Sequence, residues 1–526
     1  MKLPPFRRAL MVCGASFALA SAASAADPVT LIVPQLDSPK TLSPNFAIDS
    51  GAYPAASNIY STLFTMDWGV LRGTSAYGDL AEKWDVSADG KVYTFHMRKN
   101  VKWHDGEPVT SADVKFTYDT IIAKKYPYST FLRNVESIET PDPDTVILRM
   151  KTVDVSVIPM MAQAAQWWGK IYPKHLWEKV DGFDKGDNVL KPIGSGPFKF
   201  VRMEPGSVEL AANPDYFRGK PAVDRVIIKH VTDANVARAE FDAGQYPWLP
   251  FDYAPPLSEV PALQKDPSVQ VVFTPSHYGR DLLINMRKAP FDKLEVRQAI
   301  SYALDRDAIN RLAFGGLWRP TYNASVETQE KWVNPAAVFP HFDKAMAEKL
   351  LDEAGYKRGA DGWRFATTVT GQPLADCKAM MPIIVQQLRQ VGINASIVLY
   401  DQASFFNILP QGKFDLSCYS TRYGPDPDAY REHFATGRPR DYTGYSNAEV
   451  DELAERAITL IDPAQRQPLY QRIQANIVRD VPYVNLFNEQ KTTLKRPGWT
   501  GFPTDEDGFN KSITWYGYSA VKPPAK

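Results

Sequence analysis

Cysteine and histidine are scarce in this 526-residue chain, which carries three of the first and seven of the second. Cys13, Cys377 and Cys418 stand far apart, and no paired Cys or His spacing of the kind that holds structural zinc occurs. The histidines, at positions 96, 104, 175, 230, 277, 341 and 433, form no H-E-x-x-H pair, which disfavours a metalloprotease. Phosphate-cradling loops are missing too: there is neither a G-x-G-x-x-G nor a Walker A sequence. Gly194-Ser195-Gly196 lacks the intervening residues of a G-x-S-x-G nucleophile elbow. Neither sign of charge is in excess, with 60 basic against 60 acidic residues, so nothing points to nucleic acid or an anionic membrane as partner. No catalytic residue, metal or cofactor is assigned. Abundant carboxylates and aromatics alone sustain a rival reading as a secreted hydrolase.

Long apolar runs are likewise absent, since no stretch approaches the roughly 18 residues of a membrane span. A shorter one opens the chain. Lys2, Arg7 and Arg8 precede an apolar run over 9–20, and Ala23-Ser24-Ala25 follows as an A-x-A site. These are the parts of a secretory signal peptide, with cleavage expected after Ala25. Cys13 lies inside the apolar run, too near the charges to be a lipidation point. The remaining length calls for two or three domains, each with its own core. Export would permit a disulfide between Cys377 and Cys418. Their positions, near a predicted helix start and in a strand predicted over 414–420, suit two separate buried thiols equally well.

What the chain does have is a dense signature over 91–116, KVYTFHMRKNVKWHDGEPVTSADVKF. Tyr93, Phe95 and Met97 alternate with Thr94, His96 and Arg98, the period of a half-buried strand. Asp105-Gly106 is a turn. Thr110, with Asp113 three residues on, forms a variant capping box for a helix that buries Val114, Tyr118, Ile121 and Ile122. His96 and His104 are therefore read as scaffold. Further on, Gly194-Ser195-Gly196-Pro197-Phe198 leads into strands over 198–202, 208–212 and 226–230. Asp292 is placed to cap a helix carrying Val296, Ile300, Ala303 and Leu304, and Gly315-Gly316 ends the next one. A helix over 343–354 stops at Gly355; another striped by Ile384, Leu388 and Val391 stops at Gly392 before a strand over 394–400. Two more helices, over 449–461 and 464–478, precede a strand over 483–488.

Three separated blocks carry a resemblance. The signature over 91–116, the passage GSGPF…N..YF.GKP..D over 194–224, and INMRKAPFDKLEVRQAISYALDRDAI from Ile284 resemble family 5 of the bacterial extracellular solute-binding proteins. These are the peptide, nickel and opine-type receptors of ABC importers. The resemblance implies an α/β fold, a two-lobed periplasmic binding protein of type II with an extra third domain. Domain I would comprise 27–62, 192–280 and 493–526, domain II 63–191, and domain III 281–492. The ligand would lie between domains I and III. It further implies a monomer in the periplasm that binds a small molecule or peptide and docks transiently on an ABC permease and its ATPase.

The candidate ligand loop is CYSTRYGPDPDAY, residues 418–430, a strand end followed by a rigid Gly-Pro loop. Arg422 offers a planar cation for carboxylate or phosphate. Tyr419, Tyr423 and Tyr430 offer stacking faces with hydroxyls, and Asp426 and Asp428 offer acceptors. In the peptide-binding branch of the family, an aspartate in the corresponding loop pairs with the peptide ammonium. Here Tyr423, or Arg422 with one gap, falls on that position, and Ser420 replaces the expected upstream tryptophan. This departure suits an anionic, sugar-like or opine-like solute as the alternative to a short peptide. Among Trp68, Trp167, Trp168, Trp248, Trp318 and Trp332, Trp318 is the candidate cleft aromatic, because it sits beside Arg319 just after Gly315-Gly316. The family's breadth also admits a nickel or haem receptor, which the scattered histidines disfavour.

Overall fold

The computed structural model describes residue 1 and residues 28–46, 52–66, 76–165, 167–424, 426–503 and 517–525. The expected signal peptide, Trp68 and Pro425 lie outside the described residues.

The signature stretch folds as its periodicity predicts. Val92–Met97 is an inner strand of a four-stranded antiparallel sheet, between Ala81–Val86 and Thr145–Met150, with Val135–Asp142 at the edge. Gly106, at φ +100°, makes the turn that a Cβ would oppose. The helix Ser111–Lys124 begins on a reciprocal capping box in which Thr110 N donates to Asp113 Oδ2 at 2.8 Å. Val114, Tyr118 and Ile121 are buried, whereas Ile122 is 39% exposed, one position off the buried stripe.

The histidines of this stretch have structural roles. His96 Nε2 lies 2.8 Å from Asp85 on the neighbouring strand. Gly194 N donates to His104 Nδ1 at 3.2 Å, so the proton sits on Nε2, which donates to Gly196 O at 3.0 Å. Burial brings His104 down to about 4, and it stays neutral across the physiological range. His104 thus stitches the first family block to the second. A Cβ on Gly194 would fall 1.9 Å from Ile59 O, and one on Gly196 2.5 Å from Asn58 O. Both glycines are needed because the chain runs directly over the end of the helix Ala52–Ile59.

Two large hydrophobic cores organise the molecule. The first gathers residues between Leu31 and Ile228, together with Trp248, Phe502, Tyr518 and Val521. It fills the space around the sheet just described and a second one, in which Thr30–Gln35 pairs parallel with Arg225–His230 beside Ser207–Ala212 and Phe198–Glu204. The other core runs from Leu282 to Phe487. A small third cluster includes Phe241, Tyr246 and Leu494.

A seven-stranded sheet spans the region between the small cluster and the second core. Its main path runs Trp248–Leu249, Tyr483–Lys495, Gln270–Ile284, Leu416–Arg422, Phe365–Gly371 and Ile393–Leu399. Gln270–Ile284 and Tyr483–Lys495 lie antiparallel from Gln270 opposite Lys495 to Leu283 opposite Tyr483. The strand expected over 483–488 therefore continues to Lys495. The strand 270–284 has no sequence counterpart, because Pro275, Ser276, His277 and Gly279 interrupt its alternation. The pairing indeed slips between Pro275 and Gly279. Lys293, not Asp292, occupies the N-cap of Leu294–Ala303. Gly315, at φ +59°, ends Arg306–Phe314 as expected.

Candidate ligand-binding site

Leu416–Arg422 lies against Gln270–Ile284, which pairs on its other side with Tyr483–Lys495, and these three strands assemble the candidate site. Arg422 ends its strand opposite Tyr278. Its carbonyl lies 3.2 Å from His433 Nε2, which fixes the backbone there. The side chain is half-buried, and burial lowers the pKa of its guanidinium, with Arg440 adding repulsion. Among the described residues no carboxylate pairs with it. Tyr419 is buried, with its ring edge-on to Tyr442 at 5.5 Å.

The other expected ligands are engaged elsewhere. Tyr423 is fully buried and its hydroxyl donates to Tyr483 Oη at 2.8 Å. Asp426 accepts from Arg466 through both oxygens, at 2.7 and 3.0 Å, and Arg466 in turn lies over Trp332 and Tyr470. Asp428 accepts bidentately from Arg431 at 2.7 and 2.8 Å. Tyr430 donates its hydroxyl to Ala324 O at 2.5 Å. Trp318 is buried, stacks on Phe314 at 4.1 Å, and exchanges backbone hydrogen bonds with the Asn310 side chain. The Pro-Asp loop is thus held by ion pairs to Arg466 and Arg431, while Arg422 has no carboxylate partner among the described residues. Arg431 is a local partner, three residues from Asp428, whereas Arg466 lies 40 residues from Asp426 and had no local signal.

A cluster of buried charges adjoins Arg422 on the same strands. Ser420 donates to Glu489 Oε2 at 2.8 Å, and Arg280 stands 3.7 Å from that carboxylate while also pairing with Asp376. Lys491 pairs with Glu489 as well. Burial alone would raise Glu489, but Lys491 and Arg280 outweigh it and hold the carboxylate at about 2. The sequence signal was Glu489-Gln490-Lys491 inside what proves to be one continuous strand. Cys377 and Cys418 are free, buried thiols that adjoin beneath this cluster.

Comparison with known proteins agrees with this architecture. The family description "Bacterial extracellular solute-binding proteins, family 5 Middle" matches residues 75–441. Haem-binding protein A of Haemophilus influenzae is 25% identical over 91% of this chain and 90% of its own length. Di/tripeptide-binding protein 1 of Pseudomonas aeruginosa is 29% identical over 81% of this chain and 83% of its own. Among solved structures, the ABC transporter substrate-binding protein CtaP of Listeria monocytogenes superposes with a TM-score of 0.81 at 25% identity, covering 95% of this chain and all of that one. The binding protein AgaA of A. tumefacien, in complex with agropinic acid, gives 0.74 at 26% identity, covering 94% and 99%. The fold, with these relatives, is that of a solute receptor of the periplasmic-binding-protein class. The chain belongs to family 5 of the bacterial extracellular solute-binding proteins, which serve ABC importers. These relatives are binding proteins rather than enzymes, and the family works outside the cytoplasm. Among the described residues, no helix is long and apolar enough to cross a membrane.

Proposed function

We propose that the protein binds a small solute bearing a carboxylate or comparable anion, with Arg422 as the group that receives it. The observation that carries this reading is a half-buried guanidinium, at a strand end, for which no carboxylate partner stands among the described residues. A desolvated, unpaired cation is costly, and a bidentate anion offsets that cost. Tyr278, directly opposite on the neighbouring strand, supplies a ring beside it. Short peptides and opines both belong to this solute class, in line with relatives named for di- and tripeptides and one bound to agropinic acid. In this reading a peptide presents its carboxylate, not its ammonium, to Arg422. The residues over 27–62, 192–280 and 493–526 form one lobe, 63–191 an added domain, and 281–492 the opposing lobe. The mature chain, cleaved after Ala25, acts as a periplasmic monomer, without catalysis of its own, delivering solute to an inner-membrane permease and its ATPase.

Mass spectrometry of solute released by denaturing the purified protein tests this reading. A co-purified anionic small molecule, recovered chemically unchanged, is expected. Hydrolysis of that molecule by the protein would favour the rival hydrolase. Arg422→Ala should weaken binding of the solute by about a hundredfold, as loss of a desolvated charge contact costs roughly 2–5 kcal/mol.

A further inference from the structure

The two large cores meet at a second place, built on one side from the segment 153–157 and on the other from the Pro-Asp loop that follows Arg422 and from the residues around Ile458. Ser156, which is buried just ahead of the helix Val157–Ala165 of the first core, places its hydroxyl 3.1 Å from Asp428 Oδ2 and 2.6 Å from Asp154 Oδ1. Val155 N donates to Ile458 O at 2.9 Å. Arg133 reaches to within 3.7 Å of Glu432. Ile461, half exposed between two helices of the second core, points at the same pocket over Gly90 as Val153: a Cβ on Gly90 would lie 3.2 Å from each.

These contacts are few and of a separable kind. Asp428 has its charge already matched by Arg431, so parting the cores leaves no buried carboxylate alone. In the Arg133–Glu432 pair Arg133 is 60% exposed and Glu432 22%, and at 3.7 Å such a partly solvated pair adds little in water. A cavity of about 70 Å³ opens beside the contact, lined by Asp154, Ser156, Asp428, Arg431, Arg133 and Glu432 among others. Its walls mix these polar side chains with Phe131, Val157 and Met160, so the contact is not closed by a continuous apolar patch. An interface between permanently joined domains would instead be expected to bury a continuous apolar patch.

We propose that Val155, Ser156 and Ile461, with Asp428, Ile458 and Val153 facing them, form a latch that holds the added domain against the lobe 281–492 and so favours the closed state around bound solute. They act as positioning residues: they touch no ligand, yet they add to its affinity by favouring the closed state that encloses it. The proposal rests on the solute-receptor reading and gives the 63–191 segment a specific part in it.

Hydrogen exchange at the Val155 amide reads the latch directly, since this proton bonds across the interface. In Ile461→Asp, protection of the segment 153–157 should fall about tenfold or more, while the inner strand Val92–Met97 keeps its protection. Release of co-purified solute should quicken by a similar factor. A second, surface pair guards against a folding defect. Arg133→Glu should loosen the same amide, and Arg133→Glu with Glu432→Arg should restore it. Unchanged exchange at 153–157 in both Ile461→Asp and Arg133→Glu would overturn the latch, as would changed exchange with unchanged solute release. Absence of any co-purified solute would count against the receptor reading, while the exchange comparison would still decide whether the latch exists.

Discussion

Arg422 holds its position because the strand ending there is paired on one side by Gln270–Ile284, and its carbonyl is fixed by His433. Two other buried charges test the same physical reasoning without involving the ligand. Asp281 is fully buried, and burial raises its carboxyl to about 8 against the opposing pull of Thr421 and Arg280. The folded state therefore keeps a proton that the unfolded chain releases near 4. The associated stability is fully present below that value and is lost as pH rises towards 8 and beyond. Asp281→Asn should remove this decline, visible as a Tm that no longer falls between pH 5 and 8. Lys170 is also fully buried, its ammonium lowered to about 8 by burial despite Asp79 nearby. Charging it at pH 7 costs on the order of 3 kcal/mol. Lys170→Met should raise the midpoint of denaturant unfolding, because Asp79 keeps Thr62 and Arg218 as partners.

At the scale of elements, the short amphipathic pieces were the most legible. The strand over 92–97, the Thr110 cap and the helix ending at Gly315 all followed from local chemistry acting over a few residues. Ile122 and Asp292 were misplaced by one position because neither stripe edges nor caps are fixed by sequence spacing alone. Gln270–Ile284 was invisible for a different reason: its bulge breaks the two-residue period, and the strands it pairs with lie more than a hundred residues away. The candidate site was legible in part. Arg422 could be singled out by chemistry and by its departure from the peptide-binding pattern, but nothing near Asp426 in sequence announces Arg466. The Gly-Ser-Gly block carries a prediction at this scale. Gly196→Ala would force the chain away from the Asn58 and Ile59 carbonyls, and should cost about 1–3 kcal/mol in unfolding free energy measured by denaturant titration.

For the whole molecule, a pair of long strands joins the second core to the small cluster around Phe241, Tyr246 and Leu494, the kind of connection about which the proposed lobes would open and close. The family was legible in three blocks that lie in the scaffold rather than at Arg422, so the part of the chain that shows the class is not the part that carries the proposed solute site. The two long strands also carry the Arg280, Glu489 and Lys491 charges beside Arg422. With Arg422 as the proposed solute group, capture of the solute and closure would be coupled through this one sheet. Small-angle scattering should accordingly give a smaller radius of gyration for the solute-loaded protein than for protein stripped of solute by unfolding and refolding.

Calorimetric titration of stripped protein with its own co-purified solute, in wild type and in Arg422→Ala, tests the central claim most directly. Saturable one-to-one binding by the wild type, weakened about a hundredfold in the variant, is the predicted result; equal affinity in the two proteins would contradict it.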